Sequence, residues 1–160
     1  MSERGVPAGL ETGRSESGSV PGWIVMTFRV LATLLLVLIF VQPVLAGLFI
    51  TGNVTMLSLH SANATVIDLV SLFLVIAGIL VWRPGRGGAR LMVLSIVMFV
   101  LIAAQTGFGF ARSLAFHIPL GVLLFTGAVM LTIRAYQPMV AADRAAAPDA
   151  VSSLAVGETA

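Results

Sequence analysis

The sequence predicts an all-α fold: an integral membrane, up-down antiparallel four-helix bundle with an internal two-helix duplication. Three observations predict it. Hydrophobic residues make up 58% of the 160 positions and charged residues only 10%, with a mean hydropathy of +1.05. A soluble domain of that length cannot hide so much apolar surface behind a polar exterior. The apolar residues also fall into four runs, each near the 20 or so residues a helix needs to cross a ~30 Å hydrocarbon core. The links between runs are short, and helices satisfy their own backbone in lipid, so successive spans run antiparallel.

Residues 1–22, "MSERGVPAGLETGRSESGSVPG", are rich in Gly, Ser, Glu and Pro and hold nothing to bury. They read as a disordered N-terminal tail. The four-span bundle occupies 23–136. Its first span runs from Trp23 to about Ile50, apolar except for Arg29 and Gln42, and is too long for a typical cleaved signal peptide. An uncharged turn, "TGNVTMLSLHSA", leads to a second span from about Asn63 to Trp82. The segment "RPGRGGAR" breaks the helix with Pro and Gly. A third span covers about Leu91 to Phe110, a tight turn holds Arg112, and a fourth runs from about His117 to Ala135. The Ala-rich segment 137–160 reads as a loose C-terminal tail.

Arginine placement sets the expected orientation. Arg83, Arg86 and Arg90 lie between spans two and three, whereas the turn between spans one and two has no basic residue. The positive-inside rule then puts the middle link and both termini in the cytoplasm. Arg29 and Arg134 flank the same side, and Trp23, Trp82 and Tyr136 fall at that boundary, as interfacial anchors do. Arg112 is the one basic residue expected outside. The net charge is only +2, and the arginines are spread among separate links. That suits contact with a lipid bilayer and does not suggest nucleic-acid binding. The absence of cysteine excludes disulfides, thiolate metal sites and thiol catalysis. No phosphate loop, Ser–His–acid set or HExxH helix is present, so no catalytic residues are assigned.

The two halves of the chain resemble each other. "LSLHSANA" at 57–64 aligns with "LAFHIPLG" at 114–121, pairing His60 with His117, the only two histidines. Upstream, "QPVLAG" at 42–47 parallels "QTGFGF" at 105–110, with six extra residues between Gln and His in the first half. Spans two and four run in the same direction, so both histidines are expected in the first helical turn at the outer face, at equal depth. A bis-histidine pair on diagonal helices suits the iron of a b-type haem. Gly47, Gly52, Gly107, Gly109 and Gly121 would let a flat ring approach the backbone, and Arg112 is placed to meet haem propionates. Pro119 has two readings. It sits harmlessly in the first turn if the helix starts near His117, or frees the carbonyl of Ala115 if it starts at Ser113. Pro43 is expected to kink the first span.

Asp68 is the only acid within a span. At mid-bilayer it costs roughly 2.5–3.5 kcal/mol on insertion scales and is expected to face the bundle interior or be protonated. With Gln42 and Gln105 it would form a buried polar cluster below the histidines, a helix lock first and a proton or quinone site second. Asn63 would orient the ring of His60 or cap the second helix.

The order Gln, glycines, then His at an outer helix start resembles one half of the haem A synthase family. The residues that carry the resemblance are Gln42, Gly47 and His60, then Gln105, Gly107, Gly109 and His117, within about 40–125. The chain also resembles small four-span actinobacterial membrane proteins. The first resemblance implies b-type haem binding, with His60, His117, Gln42 and Gln105 among the matching residues. Together the two imply a bacterial plasma membrane. This chain has one bundle and two histidines where that family has two bundles and more, and it shows no acid beside a histidine for oxidation chemistry. Electron transfer or haem handling near the outer leaflet, with a redox or membrane-protein partner, is the function expected. Two other readings use the same residues: a cofactor-free accessory protein of a larger complex, and a small transporter with Asp68 as its coupling carboxylate.

Overall fold

The computed structural model describes residues 20–83 and 88–138. The expectations for the tails at 1–19 and 139–160, and for Arg86, lie outside them. Four helices follow in order: α1 (Gly22–Ile50), α2 (Thr55–Trp82), α3 (Arg90–Phe110) and α4 (Leu114–Tyr136). All four are long and apolar enough to cross a membrane. Each packs on its two sequence or ring neighbours, α1 on α2 and α4, and α3 on α2 and α4, so the diagonal pairs are α1/α3 and α2/α4. This is the up-down antiparallel bundle the apolar runs predict.

The second and fourth helices begin earlier than their apolar runs. Thr55 rather than Asn63 opens α2, and Leu114 rather than His117 opens α4. Polar side chains in these turns fold back on their own helix: Ser58 Oγ donates to the carbonyl of Thr55 at 2.7 Å and Thr65 Oγ1 to that of Ser61 at 3.3 Å. A segment that satisfies its polar groups in this way stays helical without being apolar. His60 is therefore the sixth residue of α2, in its second turn, while His117 is the fourth of α4. The expectation that both stand in a first turn holds for His117 alone. Pro119 lies inside α4, where its missing N–H leaves the carbonyl of Ala115 without its helical donor, and Pro43 does the same to Ile39 in α1.

The core sits in one half of the bundle. Ile24, Phe28, Ala32, Leu35 and Ile39 of α1 are buried at intervals of three and four. They meet Leu74, Ala77, Gly78 and Val81 of α2, Met98 and Ile102 of α3, and Leu124, Ala128, Leu131 and Ala135 of α4. That seam reaches the very ends of the helices on the side of the α2–α3 link. Toward the two hairpin turns it stops: no residue from 40 to 66 or from 103 to 123 is buried. Lipid supplies no hydrophobic drive between helices, so the packed half is held by close fit and hydrogen bonds. Arg29 Nε donates to the carbonyl of Ala135 at 3.0 Å, and its guanidinium stands 5.3 Å from the centre of the Tyr136 ring. Thr132 Oγ1 donates to the carbonyl of Ala32 at 3.2 Å. An arginine inside the first span is thus accommodated by the negative end of α4.

Candidate functional site

The two hairpin turns are built alike. At the end of α1 the N–H of Gly52 bonds the carbonyl of Phe49 and that of Asn53 the carbonyl of Leu48. At the end of α3 Arg112 bonds Gly109 and Ser113 bonds Phe108 in the same pattern. Such a turn needs a left-handed residue at its centre, and Gly52 (φ 107°) and Arg112 (φ 54°) supply it. Aligning the turns places the six extra residues of the first half. Gln42 lies ten residues before Gly52 and Gln105 seven before Arg112; His60 lies eight after and His117 five after. Three extra residues on each strand of the hairpin lengthen it by about 4.5 Å, and the Gln–His pairing survives.

That pairing forms the site. His60 Nδ1 is 3.2 Å from the backbone carbonyl of Gln42, and His117 Nδ1 is 3.0 Å from that of Gln105. A carbonyl only accepts, so in each bond Nδ1 carries the proton and donates. Each neutral imidazole then keeps its lone pair on Nε2, the form that ligates a metal. The two rings belong to diagonal helices, and their centres are 6.3 Å apart with planes at 53°. Both are half-buried.

Glycine decides how the rings are seated. A side chain at Gly109 would place its first carbon 3.2 Å from His117 Cε1, and one at Gly121 would come 3.2 Å from Gln105 Nε2. These two positions admit the ring and the amide. Gly47, Gly52 and Gly107 have no neighbour within 4 Å of such a carbon.

The remaining polar residues are placed differently from the predicted cluster. Asp68 is bound by Thr106, whose Oγ1 lies 3.2 and 3.3 Å from its two carboxylate oxygens. It bonds neither Gln42 nor Gln105. Thr106 is the residue the sequence reading missed; a threonine in an apolar span carries no signal of its own, and only its place beside Gln105 marks it. Asn63 neither orients His60 nor caps α2: its Nδ2 donates to the carbonyl of Leu38 on α1 at 2.9 Å. The buried side-chain oxygens of Gln42 and Gln105 have no hydrogen-bond partner. Two buried acceptors without donors, one in each half, are costly in a protein interior.

Arg112 is exposed and holds a left-handed backbone that costs a side-chain-bearing residue about 1 kcal/mol. Arg112→Gly is expected to raise the unfolding free energy by about 0.5–1 kcal/mol, read from denaturant unfolding in detergent. A lower stability would mean that the arginine side chain contributes more than its backbone loses.

No protein-family model matches the chain, and no match is found among curated proteins or among solved structures. The site must speak for itself. Among the described residues no three or more His, Asp or Glu gather as a metal cluster. A bare ion of the zinc type wants about four protein donors. Two imidazoles alone suit an ion that arrives with its other ligands, and a porphyrin brings four nitrogens and leaves two axial positions.

Proposed function

We propose that this membrane protein holds one b-type haem between His60 and His117 and passes single electrons through it. The observation that carries this reading is the spacing of the rings. Two imidazoles on opposite sides of one metal, each bonded at about 2.0 Å, stand with their centres roughly 6 Å apart, and here they are 6.3 Å apart. The Nδ1 bonds to Gln42 and Gln105 prepare both Nε2 atoms as ligands. The half of the bundle that contains the rings is the half without a buried apolar seam.

Bound haem supplies a one-electron couple with both axial positions taken, which favours electron transfer over oxygen chemistry. The chain's own residues orient the imidazoles, line the ring with apolar side chains and hold its end. Arg112, kept at a strained position in the turn beside His117, is suited to a propionate by its forked donors. The arginine distribution supports an orientation with this end of the bundle outside and the termini inside, and the proposed setting is a bacterial plasma membrane.

The test is a dithionite-reduced minus oxidised absorption spectrum of detergent-purified protein expressed with ample haem. A sharp low-spin b-type spectrum with one haem per chain is expected. A featureless spectrum would remove this reading and leave the histidines as interfacial residues.

A further inference from the structure

We propose that Asp68, with Thr106, is a proton-binding site coupled to reduction of the haem; the proposal rests on the reading above. Asp68 is the only acid in the four helices and is half-buried. Among the described residues its side chain bonds Thr106 and no cation. Ionisable groups in that position are retained for work, because lipid penalises them.

The partner indicates the work. A guanidinium would hold Asp68 as a carboxylate, and a carbonyl would hold it as an acid. A hydroxyl does neither: it donates to a carboxylate and accepts from a carboxylic acid. Thr106 Oγ1 sits almost equidistant from both Asp68 oxygens, so the pair is satisfied with or without the proton. The group is also connected to the site. Thr106 adjoins Gln105, whose carbonyl holds the ring of His117. Asp68 itself lies eight residues beyond His60, about 12 Å along the same helix. Across a membrane interior free of mobile ions, charges at that separation interact with little screening.

Among the described residues the other titratable groups are few, with Arg83 capping the far end of α2 and Arg112 in the α3–α4 turn. On α1 the titratable side chain is Arg29, bonded to Ala135 at the packed end. Between Leu91 and Phe110, α3 has none, and Arg90 opens that helix at the far end. His60 on α2 and His117 on α4 are the ligands, and Arg134 and Tyr136 end α4. The balance is simple. One electron from a one-electron donor takes Fe(III) to Fe(II), one proton from water converts the Asp68 carboxylate to the acid, and the charge of the bundle is unchanged.

Potentiometric titration of the haem spectrum at several pH values, for wild type and Asp68→Asn, tests the coupling. The wild-type midpoint should fall as pH rises, because the charged carboxylate disfavours the added electron. Asp68→Asn keeps the bond to Thr106 but cannot titrate, and its midpoint should stay flat near the wild-type low-pH value. Infrared difference spectra on reduction should show a carboxylic-acid band in wild type that Asp68→Asn lacks. If Asp68→Asn does not fold, Thr106→Val serves instead and should move the pH range of the wild-type fall. A flat wild-type midpoint, a slope in Asp68→Asn equal to that of wild type, or an unmoved pH range in Thr106→Val overturns the coupling while the haem reading stands. Absence of any haem spectrum in wild type overturns both.

Discussion

His60→Ala and His117→Ala will each abolish the low-spin haem spectrum. On the haem proposal each ring would supply one nitrogen to the iron, and losing one would leave the iron high-spin and weakly held. The pocket left by the missing ring is the size of an imidazole. Free imidazole added to either variant should therefore restore part of the low-spin signal. The protein itself should survive both changes, because no residue of the packed core lies within the histidine half. Loss of the bond to Gln42 or Gln105 removes one donor to a carbonyl, worth about 1 kcal/mol at most. Absorption spectra with and without imidazole, alongside unfolding curves, make the check. An unaltered spectrum in either variant would show that the iron takes its ligand elsewhere.

Gly78→Ala will be the most damaging single methyl in the packed half. Its new carbon would lie 3.0 Å from the Cα of Met92 and 3.3 Å from Ser95 Oγ. The first of these is backbone, so α2 and α3 must move apart, and Leu74, Ala77 and Val81 lose contacts with them. Overpacking of this kind costs about 1–3 kcal/mol. Gly127→Ala is the control. There the new carbon comes 2.8 Å from Met98 Sδ, closer still, but the far end of a flexible thioether can swing away. Equilibrium unfolding in mixed micelles should rank Gly78→Ala well below Gly127→Ala. Equal stabilities would mean that the α2–α3 contact yields as easily as a side chain.

The spans were legible because lipid leaves few choices. A run of about 20 apolar residues must be helix, and four such runs gave four helices within a turn or two at each end. The early start of α2 was not legible, since Ser58, His60 and Asn63 look like a loop until Ser58 is seen bonding its own helix and the other two the carbonyls of α1. The Gln–His repeat was visible in the letters, but its meaning was not. The contact runs from the ring to the glutamine's backbone carbonyl, a group every residue carries, and the side-chain amide the sequence advertises has no partner for its oxygen. Asp68 stood out as a lone acid, whereas Thr106 did not, because pairing across two helices depends on their stagger. Where the packed seam ends was only partly readable: residues 40–66 and 103–123 carry more polar, Gly and Pro residues than the rest of the four helices, but burial depends on how the helices pack.

The matched hairpins, finally, belong to one chain. Two identical hairpins meeting as separate molecules would have to place every feature twice. Joined, they are free to diverge. The left-handed turn position is Gly52 in one and Arg112 in the other. Eight residues past His60 stands Asp68, and eight past His117 stands Phe125, its ring 6.0 Å from that of Phe40. The seam between α2 and α3 is therefore joined by an acid and a hydroxyl, and that between α1 and α4 by two aromatic rings.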